Sequence, residues 1–385
     1  MKTEAVPEVS GDVPAAAGAD SSTLHDNGAH KKEIVSYQDE HSVVKRLLHH
    51  ARVANQDDAD VLSKAVKGNI HSVKVLGEGA FGIVDLVVVD TGGDENLLCV
   101  RKKLSKKNST NNNNPELEVQ LVESCEGCSF VVQMWSHVVG LYDYTLLLEY
   151  CPYNTLLRLL NHVSELRSKS PNGCVAFLKD TVLRINRWTG LTEDEARFYI
   201  GCAVLGLQSL HARGMIHRDV KPANCLIADN AYLKLGDLGL AKVLGEDGKA
   251  YSKAGTPGYM APEVYHAQGK ATGGYSYPAD MWSIGVMLWE MVDGLLPRWA
   301  YLSWYWTRLH FPEKFSTALK DLLTKLLEKS PRKRLTIRGV KEHTWFAGFD
   351  WEALGKQTLE APRPPELEET HIHGHLLHDG KLQEH

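Results

Sequence analysis

The apolar residues of this chain change their period as it is read. Between Glu33 and Lys67, Val43, Val44, Leu47, Leu48, Val61, Leu62 and Val66 fall at helix-compatible spacings, which predicts one or two amphipathic helices packed on the neighbouring lobe or offered to a partner. From Val73 the pattern turns strand-like. Val73 and Val75 come first, then Leu86-Val87-Val88-Val89, with a glycine-rich stretch between them. Asn111 to Asn114 with Pro115 reads as a low-complexity loop opening a helix near Glu116. Ser168, Ser170, Pro171, Asn172 and Gly173 mark an insertion over about 161–190 between two helical stretches, an addition that costs little closure entropy. Residues 1–32 have no period and are rich in Ala, Gly, Pro, Ser and Asp. Such a segment cannot offset its ordering entropy, and a disordered tail is expected. No apolar run approaches the ~18 residues a membrane span needs.

Composition narrows the class. The 385 residues carry a formal charge of −5, from 43 Lys and Arg against 48 Asp and Glu, so no global attraction to nucleic acid or an anionic membrane is expected. The clusters Arg101-Lys102-Lys103 and Lys106-Lys107 read as a solvated face. Seven scattered cysteines, an odd number, argue for a reducing compartment rather than a disulfide framework. Cys125-Glu126-Gly127-Cys128 reads as a loop closing a helix. The N-terminus lacks a hydrophobic signal core, and Lys2 stands where N-myristoylation needs Gly. A soluble, intracellular, cytoplasmic protein is expected. His371, His373, His375 and His378 have no fixed acidic or cysteine partner nearby and read as a mobile polar tail.

The chemistry concentrates further in. His217-Arg218-Asp219-Val220-Lys221-Pro222-Ala223-Asn224 is followed, thirteen residues past Asn224, by Asp237-Leu238-Gly239. Upstream, Gly77-Glu78-Gly79-Ala80-Phe81-Gly82-Ile83-Val84 lies between two strand-like stretches. A dinucleotide site would need a helix after the third glycine, and a strand comes there instead. Glycines in such a hairpin let backbone approach a phosphate closely. Cys99-Val100-Arg101-Lys102-Lys103 offers three adjacent cations, and Val100 and Lys102 share one strand face. Glu118 shares a helical stripe with Leu121, Val122 and Cys125, with Glu116 the alternative acid.

The order H-R-D-x-K-P-x-N and then D-x-G resembles the protein kinase signature. From Val73 to about Pro365 the chain is similar to eukaryotic serine/threonine kinases of the AGC group. Trp345-Phe346-Ala347-Gly348-Phe349-Asp350-Trp351-Glu352-Ala353-Leu354, then Lys356, Thr358-Leu359 and Ala361-Pro362, look like the segment after the catalytic domain of cyclic-GMP-dependent kinases. The resemblance implies an α+β, bilobal fold over 70–346. A small β-rich lobe would span about 70–148, a larger, mostly helical lobe about 152–346, and a truncated AGC-like tail 347–385. No cyclic-nucleotide domains are expected in this chain.

It also implies ATP and Mg2+ as cofactors and protein substrates. Asp219 would accept the substrate hydroxyl proton, Lys221 would meet the γ-phosphate, and Asn224 and Asp237 would hold magnesium. Leu76, Gly77, Glu78, Gly79, Ala80, Phe81, Gly82 and Val84 would cover the nucleotide. Val100, Leu148, Glu149 and Cys151 would surround adenine, while Lys102 (or Arg101 or Lys103, in a slipped register) would pair with the phosphates and with Glu118. Ser252 would take an activating phosphate against Arg218, and Thr256 would bond near Asp219 and Lys221. Asp280 and the Glu263–Arg334 pair are structural supports. Glu290 matches an acid that receives substrate arginine, but Thr155, Ala223 and Gly258 stand where relatives are often acidic. Leu238 replaces the usual Phe. The competing reading is a pseudokinase that binds partners, and a regulatory partner at 33–67 is compatible with the kinase reading.

Overall fold

The computed structural model describes residues 47–48, 51–65, 69–79, 82–108, 114–168, 190–294 and 309–362. The expected tail at 1–32, Ala80 and Phe81, residues 169–189 of the insertion, and the terminal histidines lie outside them.

The chain opens with β1 (Ala51–Val53) and α1 (Ala59–Ala65), then β2 (Ile70–Gly79), β3 (Gly82–Val89) and β4 (Asn96–Ser105). Helix α2 (Pro115–Glu123), β5 (Met134–Val139) and β6 (Asp143–Leu148) complete a small lobe. Its sheet runs β2-β3-β4-β6-β5 in antiparallel pairs, with β1 added in parallel to the start of β4. The unbroken run Leu86–Val89 follows from burial of both faces. Val87 and Val89 pack with Leu97 and Cys99 on one side, Leu86 and Val88 with Leu98 and Val100 on the other. α2 starts where Asn114 accepts from the backbone of Glu116 and Leu117, with Pro115 just inside. The helical expectation for 33–67 is corrected at 51–53. That stretch is a strand, because β4 offers an open edge there and Val53 joins the sheet's apolar cluster.

The large lobe begins with α3 (Leu156–Ser168) and α4 (Glu193–Ala212), followed by β7 (Met215–Ile216), β8 (Cys225–Ile227), β9 (Leu233–Leu235) and β10 (Lys242–Val243). Then come α5 (Pro262–Tyr265), α6 (Pro278–Asp293), α7 (Thr317–Leu326), α8 (Ile337–Lys341) and α9 (Trp351–Gly355). Because α3 continues to Ser168, residues 161–168 of the expected insertion are helix. α4 starts in a full Thr192–Glu195 capping box and packs on α6, whose residues from Ala279 to Val292 are all buried. The segment after Phe346 folds back onto α4. Leu354 is fully buried there, and a Cβ on Gly201 would stand 2.9 Å from its Cδ2, so a larger residue at 201 would have to push that side chain aside.

Candidate active site

Two strands and a helix bring the predicted charges together. Lys102 on β4 donates from Nζ to Glu118 Oε1 on α2 at 2.6 Å and to Asp237 Oδ1, just after β9, at 2.8 Å. Its neighbours point elsewhere. Arg101 forks onto the buried Asp85 on the opposite face, and Lys103 is exposed. Burial alone would push the Lys102 ammonium down, yet the charges of Asp237 and Glu118 outweigh it and hold it above the usual lysine value. The same ammonium draws the Asp237 carboxyl down to about 2, against burial. Burial raises Glu118, opposed by Lys102. Glu118 Oε2 is buried and has no hydrogen-bond partner among the described residues. Asp237 takes a left-handed backbone, φ 54°, and keeps 40% of its side chain exposed to the cleft.

Below this cluster lies Asp219, 5% exposed. Its Oδ1 accepts from Thr256 Oγ1 at 2.6 Å, and its Oδ2 accepts from Asn224 Nδ2 at 2.8 Å and faces Lys221 Nζ at 2.9 Å. Lys221 also donates to Thr256 Oγ1 at 2.5 Å. The carboxylate is therefore fixed from three sides. Asp280, fully buried on α6, holds the loop itself, since it accepts from the backbone N–H of His217 at 3.0 Å and of Arg218 at 2.9 Å. Burial would raise its carboxyl, but the bond to His211 Nε2 at 2.8 Å and the charge beside it leave it lowered.

Arg218 has φ 70° and reaches Leu240 O at 2.5 Å and Ser252 Oγ at 2.9 Å. The half-buried Ser252 is further held by Tyr275, which donates to its carbonyl at 2.6 Å. Arg334 meets both oxygens of Glu263, at 2.5 and 2.9 Å. Glu290 is 8% exposed, raised by burial, and accepts from the Tyr259 hydroxyl.

On the opposite wall, Gly77 to Gly79 and Gly82 to Val84 pair across a hairpin. Gly82 has φ 135°, and a Cβ there would fall 1.7 Å from Lys103 O. Leu76 and Glu78 are exposed, and Val84 and Leu148 pack against the cluster that contains Val100. The Glu149 N–H donates to Gln133 O at 2.9 Å. Cys151 is buried, its carbonyl accepting from Asn154 N at 3.1 Å.

The family model described as protein kinase domain matches residues 70–346. The chain belongs to the protein kinase family. Ribosomal protein S6 kinase 2 alpha of Gallus gallus is 29% identical over 378 residues, covering 94% of this chain and 44% of that protein. Ribosomal protein S6 kinase alpha-6 of Homo sapiens is 31% identical over 315 residues, 78% of this chain and 38% of its own length. cGMP-dependent protein kinase 2 of Rattus norvegicus is 28% identical over 323 residues, 78% and 37%. The chain thus spans less than half the length of these relatives.

Sequence reasoning missed several groups in this kinase domain. Lys242 on β10 lines a small cleft with Arg218, Asn114 and Glu118. A lone lysine five residues past Asp237 gave no signal. Gln133 Nε2 ties the turn after α2 together through the carbonyls of Cys128 and Val131, at 2.9 and 2.7 Å. Lys234 on β9 pairs with Glu149. The Lys234–Glu149 pair joins residues 85 apart in sequence, and no local pattern marks it.

Proposed function

We propose that this chain is an ATP- and magnesium-dependent serine/threonine protein kinase. The observation that carries the reading is the pairing of Lys102 with both Glu118 and Asp237 beside an Asp219 held by Thr256, Lys221 and Asn224. Asp219 accepts the proton of the substrate hydroxyl, and Lys221 and Thr256 keep its carboxylate aimed. Asn224 spends its amide nitrogen on Asp219, so its oxygen and the exposed side of Asp237 are the groups that would hold magnesium. Bound ATP supplies the phosphoryl group. Lys102 offers the phosphates a permanent cation, and the glycines at 77, 79 and 82 permit close backbone approach. Adenine would lie against Val84, Val100 and Leu148, with the Glu149 carbonyl and the Cys151 N–H as its polar contacts.

Ser252 is the residue we assign to activating phosphorylation, with Arg218 and Lys242 as its cations. Glu290 is buried with Tyr259, which supports a part in shaping the substrate loop rather than an open acid for arginine. The six described cysteines are free and buried, and no described helix is long and apolar enough to cross a membrane. These support a cytoplasmic location. A regulatory partner at 33–67 is a separate proposal, supported by Val61, 41% exposed on α1. Pull-downs that compare the full chain with Val61→Glu, which spares β1 and its pairing with β4, test it, and a partner captured equally by both would remove the proposal.

The main test is phosphate transfer from labelled ATP to a degenerate serine/threonine peptide library, comparing wild type with Asp219→Asn. Transfer by the wild type alone supports the kinase. Silence from a Ser252-phosphorylated wild type that binds ATP overturns it in favour of a pseudokinase.

A further inference from the structure

The strand order leaves a vacancy beside β4. β6 pairs with β4 only from Ser105 back to Val100, because at Leu148 the chain leaves the sheet and crosses to the large lobe. Asn96 to Leu98 would then present an open edge. β1 takes that edge, with Ala51 opposite Asn96, Arg52 opposite Leu97 and Val53 opposite Leu98. The Ala54 N–H extends the ladder to Leu98 O at 2.9 Å.

The added segment is clamped from several directions. Buried Asn96 donates from Nδ2 to Leu47 O at 2.9 Å. Arg52 forks onto both oxygens of Asp58, each at 2.7 Å, and reaches Glu95 at 2.6 Å. Asp58 accepts in addition from the Asn55 N–H at 2.8 Å. The side chains also straddle the sheet. Ala54 and Leu62 are buried with Cys99 and Leu147 on one face. Leu47, 6% exposed, lies in the cluster of the other face with Val100 and Tyr150, against which Val84 and Leu148 pack.

We propose that Leu47 and residues 51–58 are a positioning element of the nucleotide site. The inference rests on the kinase reading of that pocket. Leu47 backs the apolar wall assigned to adenine, and β1 sets the start of the strand that carries first Val100 and then Lys102. Sites of this kind lose function when their supports let them shift by even about 0.5 Å. Leu47 acts through Val100 and Tyr150, so its effect is on nucleotide affinity.

The experiment uses the full chain as wild type, Leu47→Ser, Asn96→Ala and, as a control, Val340→Ala in the large-lobe core. Each is measured for Tm, for the Kd of a fluorescent ATP analogue, and for KM of ATP and kcat on a peptide. Leu47→Ser and Asn96→Ala are expected to raise Kd and KM for ATP about five- to tenfold with kcat within about twofold. Val340→Ala, destabilised to a similar degree, keeps the wild-type KM. Unchanged affinity in both N-terminal variants, or an equal rise in the control, overturns the proposal. If Leu47→Ser fails to fold, Asn96→Ala decides, because it leaves every apolar contact in place. A wild type that binds no ATP analogue would overturn the kinase reading, whereas unchanged affinity in the variants overturns this inference alone.

Discussion

Thr256 donates its hydroxyl to Asp219 Oδ1 at 2.6 Å. The two residues lie 37 positions apart, one on the loop after β7 and the other on the segment before α5, so the bond ties that segment to the proposed base. Gly255, directly before Thr256, has φ 123°, and a Cβ there would lie 2.5 Å from Arg218 O. Close backbone approach and the side-chain bond therefore act on the same joint.

Removing that hydroxyl should misdirect Asp219 without emptying the nucleotide pocket. Thr256→Val is expected to lower kcat by about 100-fold, the scale of a misplacement near 1 Å, with KM for ATP little changed. Thr256→Ser should recover most of the activity. Steady-state kinetics of the three proteins check this, and equal kcat in wild type and Thr256→Val would remove the positioning role.

The three adjacent cations on β4 should separate cleanly. Lys102→Ala removes the only one of them that meets Glu118 and Asp237, and should cost about 10²–10³ in kcat/KM. Arg101→Ala leaves buried Asp85 with the Ser72 hydroxyl as its remaining partner, so it should lower stability by about 1–2 kcal/mol while activity stays within a few fold. Lys103→Ala, at an exposed position, should change stability by less than about 0.5 kcal/mol. Urea melts beside kinase assays on the three variants would show any other order.

Arg334 depends on Glu263 for its charge balance. Its side chain is wholly buried, and both guanidinium nitrogens that face Glu263 are bonded to it. Glu263→Ala leaves that cation to carbonyls and the Trp282 ring and should destabilise the fold by about 3–5 kcal/mol. Glu263→Gln keeps an acceptor and should cost less. Equal urea midpoints for wild type and Glu263→Ala would show that the carbonyls of Glu328 and Pro278 suffice.

Some of this architecture was legible from residue order and some was not. The Leu86–Val89 run and the Asn114-Pro115 helix start are set by neighbours within a few residues, so period and capping chemistry reveal them, while the loop ending at Asn224 is marked by its motif although distant Asp280 holds it in place. The choice of Lys102 over Arg101 follows from strand alternation once Val100 is placed, because residues two apart share a face. β1 was not legible. Ala51-Arg52-Val53 has little strand character of its own and becomes a strand only where β6 stops short of Asn96. The commitment of the Glu149 N–H to Gln133 likewise depends on two strands meeting, which no local pattern encodes.

The charge cluster around Lys102 should also leave a mark on acid stability. Asp237 is held at about 2 in the folded chain, chiefly by the Lys102 ammonium, against an ordinary 3.8. A carboxyl lowered by folding is protonated first in the unfolded chain. The stability it contributes is therefore whole above about pH 4 and fades as pH falls towards about 2. Asp237→Asn cannot titrate. The urea midpoint of wild type relative to this variant should stay level from neutral pH down to about 4, then converge on the variant below that. A gap that widens on acidification would mean that folding raises the Asp237 carboxyl, with repulsion from Glu118 outweighing the attraction of Lys102.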